Sequence, residues 1–298
     1  MSEVDLTSEQ YEKHREAGKI LAEVRDEAAE MVEVGVTHIE VAEWAEDRIR
    51  ELGGRPAFPV NISIDEEAAH ATPAPDDEET FGEEMVNLDV GVSVDGWLAD
   101  TAVTVDLSGN PDLVDASAEA LDAALETVEA GVQTGEIGAA VEEVIESYGY
   151  HPVVNLTGHG LGHYQQHTKP NIPNRAVQQG VELDAGDVVA IEPFATDGSG
   201  KVHEGGDEEI FALERERSIR DRSARQALEQ ITEEFKTLPF ARRWLDTPRA
   251  GMALRRLKQQ DIVHGYPVLK EDDGALVSQK EHTVIVTEDG CEVTTRSR

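Results

Sequence analysis

The chain reads as an α+β protein built by internal duplication, and three observations carry that reading. Apolar stripes at helical spacing come in two pairs, each followed by short β-type runs. Val86 to Asp100 alternates apolar and polar residues on both sides of Val94-Asp95-Gly96, as a hairpin does. Short stretches then recur in order: Glu33-Val-Gly-Val resembles Glu129-Ala-Gly-Val, and Leu52-Gly53 matches Tyr148-Gly149. Likewise Pro59-Val-Asn-Ile-Ser resembles Val153-Val-Asn-Leu-Thr, and Val86-Asn-Leu-Asp89 corresponds to Val189-Ala-Ile-Glu192. Two halves of this kind bring carboxylates to a shared centre.

Taken in order, Thr7-Ser-Glu-Gln10 has the pattern of a capping box, Ile20, Val24, Ala28 and Met31 share a helix face, and Gly35 ends it. Thr37-His-Ile-Glu40 caps a second helix with the stripe Val41, Ala45, Ile49 and Leu52, stopped by Gly53-Gly54. Pro59 to Ser63 reads as a strand leading into the loop that holds His70. In the hairpin, a loop of Ser93 to Gly96 pairs Val92 with Trp97 and sets Asp89 directly opposite Asp100. Asn110-Pro111 opens a third helix running to Gly131, and a fourth runs from about Glu136 to Tyr148-Gly149. Asp187 to Phe194 is an apolar strand with Glu192 inside it, and Gln279 to Val286 repeats the situation with Glu281. Between them, residues 208–265 form a different kind of sequence. Arg and Glu crowd 214–225, a solvated helical face, and two stripes follow: Ala227, Leu228, Ile231 and Phe235, then Met252, Leu254 and Leu257.

With 298 residues the chain has ample length for a core. Its 62 acidic against 26 basic residues give a formal charge of −36, which argues against any general affinity for nucleic acid or anionic membrane. Only eight of the basic residues are Lys, and the acidic excess is spread along the chain. Both features suit a surface adapted to molar salt, where repulsion is screened within about 3 Å. No apolar run approaches a membrane span, and Met1-Ser-Glu-Val-Asp5 lacks signal-peptide character, so a soluble, cytoplasmic protein is expected. The single Cys291 excludes an internal disulfide and a cysteine-based metal site.

The hairpin raises the chemical question. Two unpaired carboxylates with Cβ atoms about 5 Å apart repel one another, and burying them costs several kcal/mol each. A pair of divalent ions ~3.5–4 Å apart resolves both problems. The competing reading, a solvated acidic hairpin, is natural in so acidic a chain and is decided by the other ligands. His151, His159, His163 and His167 cluster around Gly158-His-Gly-Leu-Gly-His163. A lone His is more often a core residue than a ligand, but Gly158, Gly160 and Gly162 let backbone approach a ligand closely. His163 is taken as structural or surface, and His282, next to Glu281, is expected to point to the other face by strand alternation.

Ala69-His-Ala-Thr-Pro73, Asp89 and Asp100 eleven apart, Gly158-His-Gly with His167 eight after His159, Ile191-Glu-Pro-Phe194, Leu238-Pro-Phe-Ala-Arg-Arg-Trp244 and Lys280-Glu-His-Thr283 appear in this order. Together they resemble the type II methionine aminopeptidases of archaea and eukaryotes, over nearly the whole chain. The resemblance implies one catalytic domain over 1–298 with the duplicated pita-bread (creatinase/aminopeptidase) fold and a curved antiparallel sheet. It also makes 208–265 the type II helical insertion subdomain. It further implies two divalent metal ions per chain (Co, Mn, Fe or Zn), held by Asp89, Asp100, His159, Glu192 and Glu281, with Asp100 and Glu281 bridging. His70 and His167 are implied to contact substrate. The implied activity is removal of the initiator methionine from nascent polypeptides whose second residue is small, by a protein acting as a monomer. Gly162-His-Tyr-Gln-Gln166 and Pro75-Asp-Asp-Glu-Glu79 depart from the family pattern.

The chemistry also follows from the donor set. Four carboxylates and one imidazole nearly neutralise two divalent ions and leave a position for a bridging water, whose hydroxide attacks the scissile carbonyl. Glu192 is the expected proton acceptor. His70 is expected at the scissile amide nitrogen and His167 at a carbonyl oxygen of the peptide. Phe58 and Phe194 are expected to line the methionine pocket. Two rivals stand beside this reading. A prolidase or aminopeptidase P uses the same ligands but carries a large N-terminal domain, for which Asp89 comes too early. A non-catalytic relative would have lost ligands that are all present here.

Overall fold

A computed structural model describes residues 5–297; Met1–Val4, part of the stretch read for a signal peptide, lie outside them. The first half opens with α1 (Glu9–Glu30) and α2 (His38–Glu51). The capping box expected at Thr7–Gln10 does not form. Thr7 Oγ1 instead donates to Asp5 Oδ1 at 2.6 Å, and Ser8, the residue before α1, makes no side-chain cap bond. At α2 Thr37 Oγ1 does accept from the Glu40 N–H.

Strands β1 (Asn61–Ile64), β2 (Met85–Val94) and β3 (Trp97–Asp106) follow, with β2 antiparallel to both others. The two helices bury Leu21, Val24, Val41, Ala45 and Ile49 against Val86, Leu88, Val90 and Val92. The hairpin register differs from the expected one. Val94 faces Trp97, so the turn is Asp95-Gly96 alone, with φ of 51° and 88°. Two successive positive-φ residues make the tight turn whose twist matches the strands. Asp89 therefore pairs with Ala102 and Asp100 with Gly91, which overturns the direct opposition of the two carboxylates. They share a face as diagonal neighbours.

The second half repeats the plan with α3 (Pro111–Thr127), α4 (Thr134–Ser147), and strands β4 (Thr157–Gly162), β5 (Gln165–Pro173), β6 (Val188–Ile191) and β7 (Phe194–Thr196). Its helices bury Leu121, Ile137, Val141 and Ile145 against Val189, Ile191 and Val284. The duplication shows in backbone conformation as well as in sequence: Gly35 and Gly131 have φ of 92° and 91°, Gly53 and Gly149 of 91° and 84°. Only glycine adopts such angles freely. Isolated bridges also recur, Thr37 to Thr80 and Gln133 to Glu182.

The segment after residue 208 contains α5 (Arg222–Gln230) and α6 (Ala250–Lys258), as its stripes require. It also contains β8 (Ile210–Leu213), β9 (Phe240–Ala241) and β10 (Val263–Tyr266), a small sheet in the order β9-β8-β10 that helical periodicity did not announce. Phe211, Ala227, Ile231, Phe240, Leu254 and Leu257 give it a core of its own. The chain ends with β11 (Val277–Gln279), β12 (His282–Thr287) and β13 (Gly290–Val293). A five-stranded sheet runs β13-β12-β6-β4-β5. Among the described residues no helix is long and apolar enough to cross a membrane.

Candidate metal centre and substrate cavity

The two halves meet where β3 lies beside β12. The Glu281 N–H donates to Ala102 O at 3.1 Å. Thr101 Oγ1 donates to Glu281 O at 2.6 Å, and Thr283 Oγ1 accepts from the Asp100 N–H and donates to Asp100 O, each at 2.8 Å. Two threonines thus clasp the backbones that carry Asp100 and Glu281, and both are buried. Thr283 stood in the quoted Lys280-Glu-His-Thr stretch; Thr101 is a partner that alternation alone does not reveal.

Asp89 comes from the middle of β2, Asp100 from β3, and His159 from β4. Glu192 sits at the break between β6 and β7 made by Pro193, and Glu281 just before β12. Ligand atoms of Asp100, His159 and Glu281 lie within 4.8 Å of one another. His159 Nε2 is 3.8 Å from Asp100 Oδ2 and 3.5 Å from Glu192 Oε1. The other ring nitrogen, Nδ1, faces Gly160 O at 3.2 Å. A carbonyl only accepts, so Nδ1 carries the proton and Nε2 turns its lone pair to the carboxylates. Gln279 Nε2 donates to Glu281 Oε2 at 3.2 Å, a second partner the sequence reading missed.

Four carboxyls are crowded here with no basic side chain paired to them among the described residues; the ion-pair contacts they make are to His159. Burial pushes Asp89 from the ordinary 3.8 up to about 7. Burial and the neighbouring acids hold Asp100, Glu192 and Glu281 well above the usual carboxylate range. Burial also lowers His159 to about 4, which leaves a neutral imidazole. Asp89 Oδ1 and Asp100 Oδ1 are buried without any hydrogen-bond partner. Orphaned anionic oxygens beside a lone pair on nitrogen are a donor set for divalent cations, and the residues present fit two of them.

A cavity of about 410 Å³ opens onto this centre, lined among others by Phe58, His70, His167, Phe194 and Tyr266. His70 Nδ1 faces Pro267 O at 3.2 Å, so Nδ1 holds the proton and Nε2 is left free. Enclosure lowers the His70 pKa, and His264 adds to the shift against the pull of Pro267 O. His167 crosses the His159 ring edge-on at 4.3 Å between centroids. Enclosure and the two neighbouring imidazoles, His159 and His70, lower its pKa. Gln166 and Tyr266 also line the cavity, and neither was singled out from sequence.

One sequence expectation changes, that of the glycines, and those for His163 and His282 hold. Gly158 and Gly160 do not admit a ligand: a Cβ at Gly158 would lie 2.3 Å from Ala190 O, and one at Gly160 2.5 Å from Lys169 O. They let strands β4, β5 and β6 pack closely. His163 lies outside the cavity lining, bonded to Asp95 O at 2.9 Å and tilted on Trp97. His282 turns away to Thr295 Oγ1 at 2.8 Å.

Residues 12–288 match the description "Metallopeptidase family M24", and the chain belongs to that family. Its centre is accordingly of the dimetal type found in such hydrolases. A methionine aminopeptidase of Archaeoglobus fulgidus is 52% identical over 292 residues, covering 98% of this chain and all of the relative. One of Methanocaldococcus jannaschii is 48% identical, covering 97% of this chain and 99% of the relative. That identity over the full length places the chain among the methionine aminopeptidases within the family. The fold is shared with a methionine aminopeptidase of Thermotoga maritima, with a TM-score of 0.73, 24% identity and full coverage of both chains.

Proposed function

We propose that the protein removes the N-terminal methionine of nascent polypeptides in the cytoplasm, acting as a monomer without nucleic acid or membrane, when the second residue is small. Asp89, Asp100, His159, Glu192 and Glu281 would hold two divalent ions. The observation that carries this reading is the pair of orphaned buried oxygens on Asp89 and Asp100, which lack any donor in the protein. When bound, two divalent ions would acidify a water and polarise the scissile carbonyl.

The chain's own groups supply the rest. Glu192, at the break after β6 and 3.5 Å from His159, accepts the proton given up in the attack. His70 presents its free Nε2 to the scissile amide nitrogen, and neutral His167 donates to a carbonyl oxygen of the peptide. Phe58 and Phe194 wall the methionine side chain, consistent with their place in the cavity lining. Residues 208–265 are the insertion that narrows the cavity: Ile210 and Pro239 reach its wall, joined by Tyr266 just after the segment.

A competition assay in molar salt with added metal tests the reading, using Met-Ala-Ser, Met-Leu-Ser, Leu-Ala-Ser and Leu-Pro at matched concentration. Met-Ala-Ser should be cleaved fastest, because a bulky second residue displaces the scissile carbonyl and a shift of about 1 Å costs ~100-fold in rate. Faster turnover of Leu-Pro would assign the site to a prolidase instead.

A further inference from the structure

We propose that Arg243, carried by the insertion, is a positioning residue for His70, so that the insertion sets the geometry of the reaction as well as the size of the cavity. The inference rests on the substrate role given to His70 above. Arg243 is not among the residues lining the cavity, and its side chain is 4% exposed. It forms a buried ion pair with Glu46 of α2, whose side chain is 3% exposed. Its Nη1 also donates to Thr72 Oγ1 at 2.8 Å and to Pro73 O at 3.2 Å. Thr72 Oγ1 passes the restraint on by donating to Val60 O at 2.7 Å. Trp244 Nε1 donates to Glu46 Oε2 at 2.7 Å, and the Val60 N–H donates to Glu46 Oε1 at 3.3 Å.

One guanidinium therefore joins three parts of the chain: the insertion, α2, and the loop two residues beyond His70. That loop needs holding. His70 has φ of 66°, a left-handed conformation that costs a non-glycine residue free energy and persists only where surroundings impose it. Residues just after the insertion also hold His70, through Pro267 O at 3.2 Å and the Tyr266 ring at 5.4 Å. With Arg243 fixed by Glu46, residues 72–73 cannot move away, and the His70 ring keeps its aim into the cavity. A lysine in its place has one compact charge and cannot reach Glu46, Thr72 and Pro73 together.

The test is a double-mutant cycle on the metal-loaded enzyme with Met-Ala-Ser, combining Arg243→Lys with His70→Asn. Asparagine tolerates positive φ, so the loop is not strained by the second change. Arg243→Lys should keep both metals and KM, and should lower kcat by about 10-fold, since a small misplacement of a reacting group is costly. In the His70→Asn background the same change should lower kcat by less than about 2-fold, as expected when two residues act through one interaction. An equal loss in both backgrounds would make Arg243 a general structural residue and overturn the proposal, as would no loss in either. A His70→Asn enzyme with full activity would instead overturn the role of His70 itself, and the proposal with it. If Arg243→Lys does not fold, Thr72→Val decides. It leaves the Glu46 pair intact, and it should show the same His70-dependent loss of kcat.

Discussion

Two groups of buried acids in this molecule have opposite surroundings. Glu46 accepts from Arg243, from the Trp244 indole and from the Val60 N–H. Glu271, fully buried, accepts from Ser199 Oγ and from the backbone N–H groups of Gly200, Lys201 and Asp272. Asp89, Asp100, Glu192 and Glu281 have a comparable setting and far fewer donors: Gln279 reaches Glu281, and Asp89 Oδ1 and Asp100 Oδ1 have no partner at all. Burial therefore does not by itself mark a functional acid. What marks it is burial without donors from the protein, which leaves the counter-charge to come from outside.

The largest expected effect comes from altering that imbalance directly. Under the proposed ligand roles, Asp100→Asn or Glu281→Gln removes one negative charge from beside two cations. At least one ion should be lost and methionine release should fall to near background. Metal content of the purified variants, measured beside activity, checks this. A variant with two bound ions and wild-type rate would erase the contrast with Glu46 and Glu271.

A smaller loss is expected at His70, which the proposed function sets against the substrate and not among the metal ligands. His70→Asn should retain both metals and lose about 100-fold in rate, a typical share for a positioned acid–base group. Elemental analysis of that variant separates the roles: a metal-depleted His70→Asn with normal secondary structure would move His70 into the ligand set.

These two classes of residue were not equally legible in the sequence. Of the four acids and one imidazole of the centre, Asp89, Glu192 and Glu281 stood out because their carboxylates interrupt apolar runs, and such interruptions are local. The hairpin was legible too, but its register was misjudged by two residues. Alternation fixes which face a side chain takes and leaves the turn to set the offset, and Asp95-Gly96 closes more tightly than a longer loop. The small sheet β9-β8-β10 within residues 210–266 went unseen because strands of two to four residues have too few side chains to show a period. Arg243 was visible only as part of Leu238-Pro-Phe-Ala-Arg-Arg-Trp244. Its meaning lies in Glu46, 197 positions away, and no local pattern encodes that contact.

The smallest effect is the sharpest probe of the comparison, because one acid from each group, Asp89 and Glu271, should respond to pH with opposite sign; burial raises the Glu46 carboxyl in spite of its donors, so Glu46 is not the probe. In metal-free protein the Asp89 carboxyl is raised from 3.8 to about 7. A raised carboxyl binds its proton more tightly in the folded state, so its contribution to stability is complete below about pH 4 and is lost as pH rises through about 7. Burial works against Glu271 as well, but its backbone and Ser199 donors outweigh it and lower its pKa below 4.5. Its contribution is present above that value and disappears as pH falls. Thermal melts of metal-free wild type, Asp89→Asn and Glu271→Gln, compared at each pH from 4 to 7, read both trends. Asp89→Asn should gain on wild type with rising pH, by on the order of a few degrees, as one repelling charge is removed. Glu271→Gln should lose ground over the lower part of the same range and then level off. Parallel curves for the two variants would mean that donors make no difference to a buried acid here, and the argument for an external cation at Asp89 would lose its physical basis.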